Sequence, residues 1–340
     1  MKKNKYLFVL LLLISITVVC SISTFFYVKL NNNVEDDNDI LVMTSCNPVY
    51  LAAINVVGDT AGVTVQNLSQ PTTGCLHDYT LTTQDMKNLS KADVLVVNGG
   101  GMEGYLDDVV AAYPELTIID TFEYIEHETD LFESLGVELS EEEEEHEEES
   151  HSEGSSGAVA GGHNEEEEHH HDHGVNSHIW MNEQLYSAQV EAIAEGLSDV
   201  DSTHQDIYSE NAKAFNSLLE SRIDKQGIDD DMSGANVAIL HEAFEYTAIS
   251  LGANVVATMD LDEERQVSAG EVSTFIDEIK ANDVKIVFAE YDYGNALGKL
   301  ITEQTDAKVV YLETLVHGDY AGLDYITVLN KNYALIKNSL

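Results

Sequence analysis

The chain repeats one pattern in each half: a short run of aliphatic and β-branched residues, a turn, an amphipathic stretch, then another apolar run. In the first half the apolar runs are ILVMT (40–44), GVTVQNL (62–68), DVLVVN (93–98) and LTIID (116–120), with amphipathic segments near 48–58, 83–91 and 103–112. In the second half they are NVAIL (236–240), NVVATM (254–259), VKIVFAE (284–290) and AKVVYL (307–312), with helical stretches such as 269–281 between them and a terminal helix expected over 319–338. Runs this short and this uniformly apolar, separated by helical periodicity, predict parallel strands buried on both faces under crossover helices. The expected fold class is α/β, with two lobes, each a parallel β-sheet flanked by helices. Helical periodicity over 183–198, and again over about 202–227 with Asp201 or Ser202 as N-cap, supplies a helical section between the lobes.

Between the halves the alternation stops. The stretch SEEEEEHEEESHSEGSSGAVAGGHNEEEEHHHDHG (140–174) holds 14 acidic residues, seven histidines and three apolar residues. So little burial cannot offset the entropy of ordering the chain, so 139–175 reads as a disordered loop. Its His163, His169, His170, His171 and His173 would hold a divalent metal weakly, as a collecting device; the rival reading is a solvated acidic spacer.

The formal charge of −46, from 62 acidic and 16 basic residues in 340, makes nucleic-acid phosphates repulsive and a cation the natural guest. At the N-terminus, Lys2, Lys3 and Lys5 precede an uncharged stretch from Tyr6 to Val28 that is long enough to cross a bilayer. The lysines favour a cytoplasmic N-terminus, so everything beyond Lys29 lies on the extracytoplasmic face. An uncleaved anchor is the preferred reading. A lipid on Cys20 is the alternative, although Thr17-Val18-Val19 lacks the small residue usual at that cleavage point. Cys46 and Cys75 would then sit in an oxidising compartment, as a disulfide, as two buried thiols or as additional metal ligands. The expected domains are a signal or anchor (1–30), a linker (31–39), a first α/β lobe (40–178) carrying the loop 139–175, a helical section (179–228) and a second α/β lobe (229–340).

Four residues stand out by placement. Ligands of open parallel sheets bind beyond the carboxyl ends of the strands. His241 follows NVAIL, Glu313 follows AKVVYL, His77 lies in PTTGCLHDYT after the second run, and His178 lies in NSHIWMN at the end of the first lobe. Taken singly, each is more ordinarily a hydrogen-bonded loop residue. Taken together, three neutral imidazoles and a carboxylate make a tetrahedral set suited to Zn2+.

Five segments in order, GCLHDYTLTTQDMKNLSKADVLVVNGGGMEGYLDD, NSHIWMN (after the acidic insertion), AILHEAFEYTAISLGA and VFAEYDYGNALGKLITEQTDAKVVYLETL, with that insertion itself among them, resemble the metal-binding family of solute-binding proteins that serve zinc and manganese ABC importers. The similarity runs over 40–338. It implies that His77, His178 and His241 are metal ligands, matching histidines in the family's PHDYE, DPHIW and HDAF segments. It also implies a long rigid helix linking the lobes, within about 202–227. The family's fourth ligand is an Asp in LDPL, where this chain has LETL, so the expected fourth ligand is Glu313. Asn176-Ser177 replaces the family's Asp-Pro before His178, and Cys75 lies close to His77.

His241 supplies nitrogen where a carboxylate would suit Mn2+, which favours Zn2+ as the bound ion. Glu290, at a strand end, and Glu242 are candidates for orienting a ligand imidazole. HEAFE (241–245) superficially matches a zinc-protease motif, but Glu245 stands where the second histidine is needed, and three histidines plus a carboxylate leave no open position for an activated water. The function expected is a monomeric, membrane-tethered zinc receptor, not an enzyme, delivering Zn2+ to the permease of an ABC importer. The rivals are a manganese or iron receptor, a secreted zinc hydrolase and a surface adhesin.

Overall fold

The computed structural model describes residues 39–69, 76, 77, 79–137, 139, 176–261, 267–316 and 321–340. The N-terminal apolar segment, Cys20, Cys75 and the acidic histidine-rich stretch with His163, His169, His170, His171 and His173 lie outside the described residues. Among the described residues no helix is long and apolar enough to cross a membrane.

The first sheet is built from β1 (Ile40–Thr44), β2 (Val63–Asn67), β3 (Val94–Val97) and β4 (Thr117–Asp120), all parallel, in the order β2-β1-β3-β4. The second repeats it with β5 (Asn236–Ile239), β6 (Asn254–Thr258), β7 (Ile286–Glu290) and β8 (Lys308–Leu312), in the order β6-β5-β7-β8. Val94 to Val97 and Ile286 to Glu290 are buried throughout, which is why these strands read as unbroken apolar runs.

The crossovers are α1 (Asn47–Val57), α2 (Thr83–Leu89), α3 (Leu106–Ala112), α4 (Thr121–Glu128) and a short α5 (Leu131–Leu135) in the first lobe. A 3-10 turn (Ile179–Met181) leads into α6 (Glu183–Val200) and α7 (Gln205–Arg222), followed by the single turn α8 (Asp229–Met232). The second lobe carries α9 (Phe244–Ser250), α10 (Ala269–Ala281), α11 (Tyr291–Gln304) and α12 (Asp324–Lys337). Local chemistry sets the helix starts. Thr82 with Asp85, and Ser268 with Glu271, form reciprocal capping boxes, and the Asn182 side chain accepts from the Gln184 and Leu185 amides at the start of α6. At 18 residues, α7 reaches about 27 Å.

The lobes share one hydrophobic core. Val49 of α1, Trp180, Tyr186 of α6, Phe288 of β7 and Tyr325 of α12 belong to a single buried cluster. Tyr186 and Tyr325 stack with ring centroids 3.6 Å apart. Polar bonds cross the same seam: Asn47 Nδ2 donates to the Leu315 carbonyl (2.7 Å), Tyr325 Oη to the Trp180 carbonyl (2.7 Å), and Lys225 pairs with Glu183 while donating to the Ser250 carbonyl (2.9 Å). A seam that is both apolar and cross-bonded resists hinge opening.

Candidate metal centre

Each sheet order reverses direction once, between β1 and β3 and between β5 and β7, and crevices open at such points beyond the carboxyl ends of the strands. In the second lobe, His241 stands two residues past β5 and Glu290 ends β7. The loop after β2 brings His77, and the segment entering the 3-10 turn brings His178.

His178 is the centre of the arrangement and is wholly buried. Its ring centroid lies 5.4 Å from that of His77 and 5.0 Å from that of His241. Imidazoles bound tetrahedrally to one Zn2+ at about 2.0–2.1 Å have centroids about 5 Å apart, so His77 and His241 each stand at about that spacing from His178, although His241 is not in the group whose donor atoms lie within 4.8 Å of one another. Burial, reinforced by the neighbouring His241 and His77, holds the His178 imidazole well below its ordinary pKa, so its ring is neutral. A neutral imidazole has a lone pair to give.

The side chain of Asn176 fixes which nitrogen gives it. Its Nδ2 donates to the Glu242 carbonyl (3.0 Å) and to Glu245 Oε2 (2.9 Å), which leaves Oδ1 facing the His178 backbone N–H (3.1 Å) and Nδ1 (3.0 Å). With Nδ1–H donating to Asn176, Nε2 carries the lone pair that a metal would take. Tyr246 Oη donates to the Asn176 carbonyl at 2.7 Å, so the segment before His178 is bonded to α9 of the other lobe. Across the site, Glu290 Oε2 lies 3.3 Å from His241 Nδ1, and Glu290 Oε1 accepts from Thr314 Oγ1 at 2.6 Å. Trp180, next to His178 with centroids 5.2 Å apart, donates its Nε1–H to the Thr314 carbonyl (2.8 Å).

Among the described residues, one group of metal-ligating side chains has its donor atoms within 4.8 Å of one another: His77, His178 and Glu242. Glu242 Oε1 is 3.4 Å from His178 Nδ1 and 3.8 Å from His77 Nε2. Donor atoms sharing a tetrahedral zinc are about 3.3–3.5 Å apart, so Glu242 Oε1 stands near that separation from His77 Nε2, while its 3.4 Å approach to His178 is to the ring nitrogen that faces Asn176 and not to Nε2. Glu313 is placed elsewhere. Its carboxylate pairs with Lys331 at 2.7 Å on a half-exposed surface, while buried Asn332 bonds its backbone N–H (2.9 Å) and carbonyl (2.8 Å). Cys46 is buried, and a pairing with Cys75 falls outside the described residues. Sequence reasoning noted Asn176 only as a departure from the family's Asp and gave it no role, and it ranked Glu242 below Glu313 although Glu242 adjoins His241.

Over residues 42–339 the chain matches the family described as ZnuA, the periplasmic component A of the zinc-uptake complex. The zinc-binding lipoprotein AdcA of Streptococcus pneumoniae is 26% identical over 331 residues, an alignment covering 95% of this chain and 60% of AdcA. The chain thus spans less than two thirds of that relative's length. The high-affinity zinc uptake system protein ZnuA of Bacillus subtilis is 24% identical, with 88% of this chain and 87% of that protein covered. A crystal structure of ZnuA has the same fold, with a TM-score of 0.62 at 23% identity over 88% of this chain and 98% of that one. Two parallel sheets in matching order, a histidine cluster centred on buried His178 between them and a family match over nearly the whole described length lead to one assignment: the chain belongs to the ZnuA family of zinc-uptake component A proteins.

Proposed function

We propose that the protein is an extracytoplasmic receptor, tethered to the membrane by its N-terminal segment, that binds one Zn2+ ion and delivers it to the permease of an ABC importer. The observation that carries this is the ring spacing about His178, with His77 and His241 at the separation of imidazoles sharing a tetrahedral ion. The relatives named for zinc binding and zinc uptake support it. His77, His178 and His241 supply nitrogen, Glu242 is the carboxylate that geometry favours as fourth ligand, and Glu290 orients His241. Three nitrogens with one carboxylate favour Zn2+ over Mn2+. The shared core limits lobe motion, so release proceeds through small shifts or loop rearrangement at the site. The test is elemental analysis after exhaustive dialysis, followed by titration of Zn2+ against Mn2+. One tightly held zinc per chain is expected; retention of manganese in preference to zinc, or of no metal, refutes the reading.

A further inference from the structure

The loop that follows β3 packs on the His77 backbone, bonds the residue before His178, and is held by a buried carboxylate outside the metal cluster. Glu103 is 5% exposed, and its two oxygens accept separately from the backbone amides of Asn98 (2.9 Å) and Gly99 (3.0 Å). Those bonds close a tight turn through Gly99, Gly100 and Gly101, all at positive φ. Asn98 then passes the constraint on: its Nδ2 donates to the carbonyl of Ser177 (2.8 Å), the residue before His178, while Gln189 Nε2 from α6 holds its Oδ1 (2.8 Å). On the other side, Gly104 packs so closely on the His77 backbone that a Cβ there would lie 2.6 Å from the His77 carbonyl oxygen.

We propose that Glu103 is a positioning residue for the zinc site, clamping the 98–104 turn so that one loop sets both the His77 backbone and the Ser177–His178 segment at the separation the ion requires. This rests on the zinc-receptor reading above. Burial pushes the Glu103 carboxyl up to about 7 against the opposing pull of the Ser45 hydroxyl and the Asn98 and Gly99 amides, with Asp120 adding to the rise. A carboxylate kept in so unfavourable a place, fully engaged with two amides, fits a clamp. The glutamine of Glu103→Gln keeps the shape but turns an amide N–H2 toward one of the two backbone donors, which opens the turn at one end.

The experiment uses the full chain, with zinc affinity from competition against a chromophoric chelator and the ligand-field spectrum of the Co2+-substituted protein. Glu103→Gln is expected to weaken zinc binding tenfold or more and to shift the cobalt bands. Phe132→Leu, a core change in α5 that lowers the melting temperature of the zinc-free protein, should leave affinity and spectrum unchanged. Gly104→Ala tests the same loop without touching the carboxylate, and should weaken binding through His77 alone. Wild-type affinity and an unchanged cobalt spectrum in folded Glu103→Gln overturn the proposal, whatever Gly104→Ala shows. A wild-type protein that takes up no zinc overturns the receptor reading instead, and the two failures are told apart by that first titration.

Discussion

Asn176 Oδ1 lies 3.0 Å from Nδ1 and 3.1 Å from the backbone N–H of His178, while the amide of the same side chain bonds Glu242 and Glu245 across the cleft. One residue thus sets the tautomer of the central imidazole and ties it to the opposite lobe. Asn176→Ala removes both effects and leaves His178 Nδ1 without that acceptor. Zinc affinity should fall ten- to a hundredfold, as when other groups that orient a metal-binding histidine are removed. Chelator competition measures it, and a variant with native affinity would show that His178 is oriented by other means.

The carboxylate donor is decided by a pair of isosteric changes. Glu242→Gln keeps the volume but replaces the oxygen nearest His77 and His178 with an amide, and affinity should drop by at least tenfold. Glu313→Gln breaks an exposed pair with Lys331 whose net worth is about 0–1 kcal/mol, and should change affinity less than threefold. The reverse result would transfer the fourth position to Glu313 and require the Lys331 pair to open on binding.

The sign of the pH response follows from two buried groups that act in opposite directions. His178 has its pKa lowered by burial and by its histidine neighbours, so its contribution to the stability of the metal-free fold is complete above about 6.5 and is lost as pH falls below that. Glu103 has its pKa raised to about 7, so its contribution is complete below about 4.5 and is lost as pH rises toward 7. At about 1.4 kcal/mol per unit, the Glu103 effect amounts to about 3 kcal/mol, and Glu103→Gln should flatten the melting profile of the zinc-free protein between those limits. Zinc affinity, which requires neutral imidazoles, should fall as pH is lowered, and the loss through His178 sets in only well below 6.5 because its pKa is depressed. A melting profile equally steep in the variant would place the titration elsewhere.

The β-sheets were legible because parallel strands buried on both faces leave unbroken apolar runs: VLVV at 94–97 and IVFAE at 286–290 are buried at every residue. His178 stood out by its place in NSHIWMN and by the resemblance that made it a ligand, and the structure buries it beside Ile179 and Trp180. Distinguishing Glu242, Glu290 and Glu313 was beyond pattern reading. All three lie at or just past strand ends, and which of them faces inward depends on the chain path beyond the last ladder bond. At the end of β8 the adjacent residue Thr314 meets Glu290, while Glu313 meets Lys331. The bond from Asn98 to Ser177 spans 79 residues, and no local pattern encodes it.

Trp180 is the only tryptophan in the chain, is fully buried and has its ring 5.2 Å from that of His178. Its emission should be blue-shifted in the zinc-free protein and should change in intensity on zinc addition, saturating at one equivalent. His178→Ala should abolish the change along with tight binding. A signal that continues to rise well beyond one equivalent would mean that Trp180 does not report a single tight site.

Deleting 141–173 separates the two classes of histidine. His163, His169, His170, His171 and His173 are removed, whereas His77, His178, His241 and Glu242 stay, and none of the contacts described for them uses a deleted residue. Beyond the deleted stretch, Asn176 is bonded to α9 through Tyr246 and Glu245, so the position of His178 is set downstream of the cut. The expected outcome is one tight zinc retained with affinity within about threefold of wild type, because binding is determined by how well the protein holds the ligand geometry. Weaker equivalents seen in the full chain should disappear. Loss of the tight site in a variant that still melts cooperatively would mean that the deleted stretch supplies a ligand, and would overturn the assignment of the ion to the cluster around His178.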